Sequence, residues 1–152
     1  MISVNEASKR IRSNIRPMPT ELVNLASASG RVLAKDFVAR VTHPPCNISS
    51  MDGYACIASD IKSLPTTLQL TGTVSAGSAF DGILQSGQTV RILTGGAMPD
   101  GANTVIIQEN VVVKGDSITI AKGSTEEQYI RKKGLDFEKG SLGTSVGRRL
   151  GP

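Results

Sequence analysis

Asn110-Val111-Val112-Val113-Lys114-Gly115-Asp116-Ser117-Ile118-Thr119-Ile120 reads as a β-hairpin. Two short runs rich in β-branched residues flank a Lys-Gly-Asp turn, and Gly115 can take the positive φ that such a turn demands. The same signature extends toward the N-terminus. Tyr54 to Ile57, Thr67 to Val74, Thr89 to Leu93 and Thr104 to Ile107 are further short strands separated by Gly-rich turns. Strands at this spacing predict a small β barrel or sandwich. A last strand is expected around Tyr129-Ile130.

The pattern changes before Pro44-Pro45, which stop any regular element. Ser3-Val4-Asn5-Glu6 fits a capping box, and Val4, Ala7, Ile11 and Ile15 recur at helical spacing until Pro17 and Pro19 end the run. Thr20 to Leu25 reads as a strand, Ala26 to Gly30 as a turn, and Val32 to Val41 as an extended segment. The fold class expected is therefore mainly β with a short N-terminal helix (α+β).

Charge divides the chain in the same places. Residues 1–40 carry seven Lys/Arg against three Asp/Glu, residues 41–121 three against six, and residues 122–152 seven against four. Basic ends around an acidic middle point to a domain inserted into another. Several function classes are excluded by composition. No stretch approaches the roughly 18 apolar residues of a membrane span, and the first residues do not form a secretory signal. Two Cys allow no disulfide framework, so the cytoplasm is the expected compartment. At 3% aromatics the chain has few stacking platforms, and no nucleic-acid partner is expected.

No phosphate-binding G-x-x-x-x-G-K-[ST] or G-x-G-x-x-G motif is present. His43, Cys46 and Cys56 make three possible ligands, which is not a tetrahedral zinc set. Three turns instead gather polar groups. In Ser49-Ser50-Met51-Asp52-Gly53-Tyr54-Ala55, a carboxylate on a turn entering a strand suits a hydrated Mg²⁺ that also touches phosphate. In Arg91-Ile92-Leu93-Thr94-Gly95-Gly96, paired glycines let backbone wrap an anion while a hydroxyl donates to it. In Ile130-Arg131-Lys132-Lys133-Gly134-Leu135-Asp136, three cations beside one carboxylate suit a phosphorylated ligand. Each of these, alone, is more readily an ordinary solvated turn.

Together the three segments resemble the molybdopterin molybdenumtransferase family, bacterial MoeA and the E domain of gephyrin. The first is similar to its S-x-M-D-G-Y-A signature. The second, continued through Pro99, Gly101 and Val105 to Glu109, is similar to T-G-A-x-x-P-x-G-x-D-x-V-V…E, and the third to I-R-x-x-G-E-D. Arg31-Val32-Leu33-Ala34-Lys35-Asp36 also resembles G-R-V-L-A-x-D. Cys46-Asn47-Ile48 departs from the usual Phe-Asp-Asn, Gly96 stands at an Ala-like position, and Leu135 replaces a Glu.

The resemblance implies the first third of a longer, dimeric enzyme that inserts molybdenum from molybdate into adenylylated molybdopterin and releases AMP, with Mg²⁺ required. It implies a helix over 1–19 packing on a later catalytic domain, a discontinuous small α/β domain over 20–41 and 135–152, and a β-barrel-like insert over 42–134. By motif match, Asp52 and Asp136 carry the catalytic and metal roles. Ser50, Gly53, Thr94, Gly95 and Arg131 bind substrate. Without the later domain the chain is expected to be inactive. The alternative is a stand-alone binding or dimerisation module with no catalysis.

Overall fold

The computed structural model describes residues 2–151, so Met1 and Pro152, the outer bounds of the expected segments, lie outside the described residues. The chain divides into two compact units, one of Met1–Phe37 with Leu142–Pro152 and the other of Val38–Ser141.

In the first unit, helix α1 (Val4–Asn14) starts where the capping box places it, with the Ser3 hydroxyl accepting from the Glu6 amide. It ends at Ile15, which is already extended, two residues ahead of Pro17. None of its residues is buried, and Val4, Ile11 and Ile15 of its apolar stripe are exposed. Thr20 to Leu25 is not a strand. The segment is exposed, joins no strand ladder among the described residues, and runs into a 3₁₀ turn at Leu25–Ser27. It finds no sheet edge to join among the described residues, and an isolated strand is not stable by itself. The expected extended run Val32 to Val41 is regular only at β1 (Phe37–Val38), apart from a single bridge from Val32 to Arg149.

The second unit holds β2 (Ile48–Ser49), β3 (Gly53–Cys56), β4 (Thr66–Val74), β5 (Gln88–Ile92), β6 (Thr104–Ile107), β7 (Val111–Lys114), β8 (Ser117–Ile120) and β9 (Ile130–Arg131); β10 (Leu142–Thr144) follows in the first unit. Six strands form one sheet in the order β6-β3-β5-β4-β8-β7. Only β4 and β5 run parallel. Parallel neighbours need a crossover of about a dozen residues or more, which residues 75–87 provide. The expected hairpin is β7–β8, with Gly115 at φ 58°.

The sheet is neither a closed barrel nor a sandwich but a curled half-barrel, and its connectivity requires the curl. Flat, its edges β6 and β7 would lie about 24 Å apart, at about 4.8 Å per strand. They are joined from Ile107 to Val111 by a single 3₁₀ turn (Gln108–Asn110), a span of at most about 14 Å. Curling brings Ile106 of β6 into one cluster with Ile118 and Ile120 of β8, beside Tyr54, Cys56, Leu68 and the plug residue Ile61. On the other face Ala55, Val74, Val90, Ile92 and Val105 are covered by Leu84 and Phe80 from the crossover. Both faces are thus dry at β3, whose four residues are all buried. A bulge between Leu70 and Gly72 lets β4 serve both faces, Leu68 and Leu70 packing on the first cluster and Val74 on the second.

Candidate functional site

The turn between β2 and β3 carries Ser49, Ser50 and Asp52, and it is pinned at every residue. The Ser49 hydroxyl donates to the Met51 carbonyl (2.6 Å) and accepts from the Met51 amide (3.2 Å), closing the turn on itself. The Ser49 amide donates to the Gly96 carbonyl, and the Gly95 amide donates back to the Ser49 carbonyl, each at 2.9 Å. Gly95 makes that return bond with φ at 82°, a conformation glycine adopts at little cost.

This clamp brings the first two motifs together. Asp52 Oδ1 accepts from both the backbone amide and the hydroxyl of Thr94, each at 2.7 Å. Those two donors, helped by the positive charge of Arg91, hold the carboxyl below its ordinary value. Asp52 is exposed and ionised, and among the described residues its Oδ2 takes no protein hydrogen bond.

The third motif joins through β9. Ile48 pairs with Arg131 and Ser49 with Ile130, so the basic turn lies alongside the Asp52 turn. Ser50 donates its amide (2.9 Å) and its hydroxyl (3.0 Å) to the carbonyl of Tyr129. Tyr129 itself has φ 60°, an unusual state for an aromatic residue. Arg131 grips Asp136 through one nitrogen, at 2.5 Å and 2.7 Å from the two carboxylate oxygens. His43 Nε2 lies 3.7 Å from the same carboxylate, and its ring stacks on Phe137.

The candidate residues therefore fall into two linked groups. Asp52, Thr94, Gly95 and Ser49 form one, and Arg131 with Asp136 forms the other, with Ser50 bridging between them. Gly53 stands apart. It is buried where β3 meets β6, and a Cβ there would lie 2.0 Å from the Ile106 carbonyl oxygen. The structure gives it a packing role, with no surface open to a ligand. Among the altered positions, Asn47 accepts from the Lys133 amide through its side chain (2.9 Å) and from the Met98 amide through its carbonyl (2.9 Å). It thus ties the basic turn to the Thr94 turn beside a shallow cleft of about 360 Å³. Gly96 fits a constricted spot, since a Cβ would approach the Leu93 carbonyl oxygen at 2.9 Å.

Among the described residues no three His, Cys, Asp or Glu side chains gather to hold a metal by themselves. The donor set still suits Mg²⁺, which takes one or two carboxylates and completes its shell with water and substrate phosphate. Asp52 has one oxygen uncommitted, whereas Asp136 would share an oxygen with Arg131.

One residue was missed by the sequence reading. Arg91 of β5 lies over the Tyr54 ring (5.0 Å to the centroid), donates to Gln108 Oε1 (2.6 Å), and acts electrostatically on Asp52. It is the one cation between Lys62 and Lys114. That isolation, in a strand whose other residues are uncharged, was the available signal.

Residues 2–152 match the family described as the MoeA N-terminal region (domain I and II), and the chain belongs to that family. It is 35% identical over 154 residues to the molybdopterin molybdenumtransferase of Haemophilus influenzae, covering all of this chain and 38% of that protein. The corresponding transferase of a Nostoc species is 32% identical over 126 residues, 80% of this chain and 29% of its own length. The crystal structure of the molybdopterin biosynthesis moeA protein from Pyrococcus horikoshii OT3 superposes with a TM-score of 0.88 at 35% identity, over 97% of this chain and 40% of that one. The chain thus spans about two fifths or less of the length of these relatives. No helix among the described residues is long and apolar enough to cross a membrane.

Proposed function

We propose that this chain is the N-terminal region of an enzyme that inserts molybdenum from molybdate into adenylylated molybdopterin with release of AMP. The observation that carries the reading is the Asp52 carboxylate, ionised and fixed by two Thr94 donors with one oxygen turned to solvent chemistry rather than to the fold. The uncommitted Oδ2 leaves this pre-positioned carboxylate able to accept one further ligand, which is what a metal that also binds water and phosphate requires. Mg²⁺ would be held by Asp52 and Asp136 and would supply charge compensation and Lewis acidity at phosphate when bound. Thr94 orients Asp52, Arg131 balances phosphate charge while orienting Asp136, and Ser50 keeps the two turns in register through Tyr129.

The discontinuous domain, in this reading, comprises 20–41 with 135–152, and the insert 42–134. The exposed stripe Val4, Ile11 and Ile15 packs on the molybdopterin-binding part of the longer protein. The whole enzyme works as a cytoplasmic homodimer, and this chain alone does not turn over. Substitution tests the reading in the full-length protein. Asp52→Ala abolishes molybdenum insertion while leaving the circular-dichroism spectrum unchanged, and normal turnover by a folded Asp52→Ala protein rejects it.

A further inference from the structure

Resting on that transferase reading, we infer that Arg91 is a substrate-binding residue of the Asp52 site, holding a tetrahedral oxyanion beside the carboxylate. Three observations support it. Arg91 lies directly across from Tyr54 in the β3–β5 register, and its guanidinium covers the Tyr54 ring at 5.0 Å. An arginine stacked on a buried aromatic face is pre-organised, so little rotamer freedom is lost when it grips a ligand.

Gln108 fixes the second coordinate. Its side-chain carbonyl accepts from Arg91 Nη2 at 2.6 Å, while its own backbone amide donates to the Asp52 carbonyl at 3.2 Å. One residue thereby sets the spacing between the guanidinium and the Asp52 turn. Third, Gln108 is the one side-chain acceptor that Arg91 meets among the described residues. A guanidinium has five N–H donors, and half-buried Arg91 leaves most of them without a protein acceptor among the described residues.

A cation fixed so firmly and used so little by the fold is arranged for an anion. The Asp52 carboxylate is not that anion: among the described residues Arg91 donates no hydrogen bond to it and acts on it only through its charge. Lysine would not serve equally, since it lacks the planar fork that both stacks on Tyr54 and reaches Gln108. The chemistry is that of a tetrahedral oxyanion, which the reaction offers twice, as a phosphate of the adenylylated pterin and as molybdate.

The test is steady-state kinetics of the full-length protein, varying each substrate in turn, with Arg91→Met and Arg91→Lys. Methionine keeps an apolar stem over Tyr54, and lysine keeps the charge. Losing charge-assisted hydrogen bonds raises one KM by about 10- to 100-fold, with kcat within about threefold and the thermal unfolding midpoint unchanged. A rise confined to the adenylylated pterin identifies phosphate as the ligand, and a rise confined to molybdate identifies the metal oxyanion. Arg91→Lys recovers part of the loss. Unchanged KM for both substrates in Arg91→Met overturns the inference, as does a fall in kcat alone. If the wild-type full-length protein releases no AMP, the transferase reading has failed instead. The Arg91 site is then judged by calorimetric binding of inorganic pyrophosphate, where wild type must bind at least tenfold more tightly than Arg91→Met.

Discussion

Gly53→Ala separates the architecture of the site from its chemistry. The added Cβ would fall 2.0 Å from the Ile106 carbonyl oxygen and 2.9 Å from its carbonyl carbon, both backbone atoms of the neighbouring strand. Carbon and oxygen without a hydrogen bond need at least about 3.2 Å, so β3 and β6 must part by about 1 Å. Overpacking of this kind costs about 1–3 kcal/mol. Losing two β3–β6 hydrogen bonds at about 1 kcal/mol each brings the total to about 3–5 kcal/mol. The assay is amide hydrogen exchange of the full-length protein, read at β3, β5 and β6. At 1.4 kcal/mol per factor of ten, those amides exchange about 100- to 5000-fold faster in the variant. Activity falls only in proportion to the folded fraction. Exchange within threefold of wild type, together with lost activity, would refute the packing argument and return Gly53 to the ligand-binding set.

Other consequences are more local. Thr94→Val removes the hydroxyl donor but keeps the amide. The Asp52 carboxyl therefore titrates closer to its ordinary pKa of about 3.9, measurable by carboxyl NMR; an unmoved titration would contradict the assigned cause. Because the wild-type pKa is depressed, the Asp52 contribution to stability is complete above that ordinary value and is lost as pH falls through the folded one. Burial pushes the Cys56 thiol up to about 12, whereas Cys46 is exposed. A thiol reagent at pH 8 should label one cysteine in the native protein and two in denaturant, and prompt labelling of both natively would count against the buried placement. Asn47→Asp preserves the acceptor for the Lys133 amide and leaves turnover near wild type, while Asn47→Leu unpins the basic turn and speeds exchange of that amide. Ile118→Ala empties a fully buried position of the concave cluster and costs about 2–5 kcal/mol in a denaturant titration.

What could be read from the sequence followed the length of each signal. The strands β3 to β8 carry four or more residues of period-two or β-branched pattern, and they lie within a residue or two of where that pattern places them. β9 lies within a residue of the strand expected around Tyr129-Ile130, whereas two-residue β2 is too short for any periodicity, and their pairing brings the Asp52 turn and the basic turn together. Leu68, Leu70, Gly72 and Val74 look like one face of one strand, and only the bulge between Leu70 and Gly72 assigns them to two clusters. The barrel-like curl expected from the strand spacing is present as a half-barrel, and the three-residue link after β6 requires it. Thr20 to Leu25 reads as a strand, but Leu22 and Val23 break the period-two pattern and no partner strand stabilises it among the described residues. At the site, Asp52, Thr94, Arg131 and Asp136 were singled out by motif, whereas their pairing depends on contacts across 42 residues for Asp52–Thr94 and 5 for Arg131–Asp136.

Central to the account is that the full-length protein uses its Asp52 site for adenylyl release coupled to metal insertion. The direct measurement is AMP formation by that protein on adenylylated molybdopterin with Mg²⁺, with and without molybdate. The account predicts AMP release that depends on molybdate, matches the molybdenum bound to the pterin, and vanishes in Asp52→Ala. AMP release independent of molybdate, or release that persists in a folded Asp52→Ala protein, would contradict it.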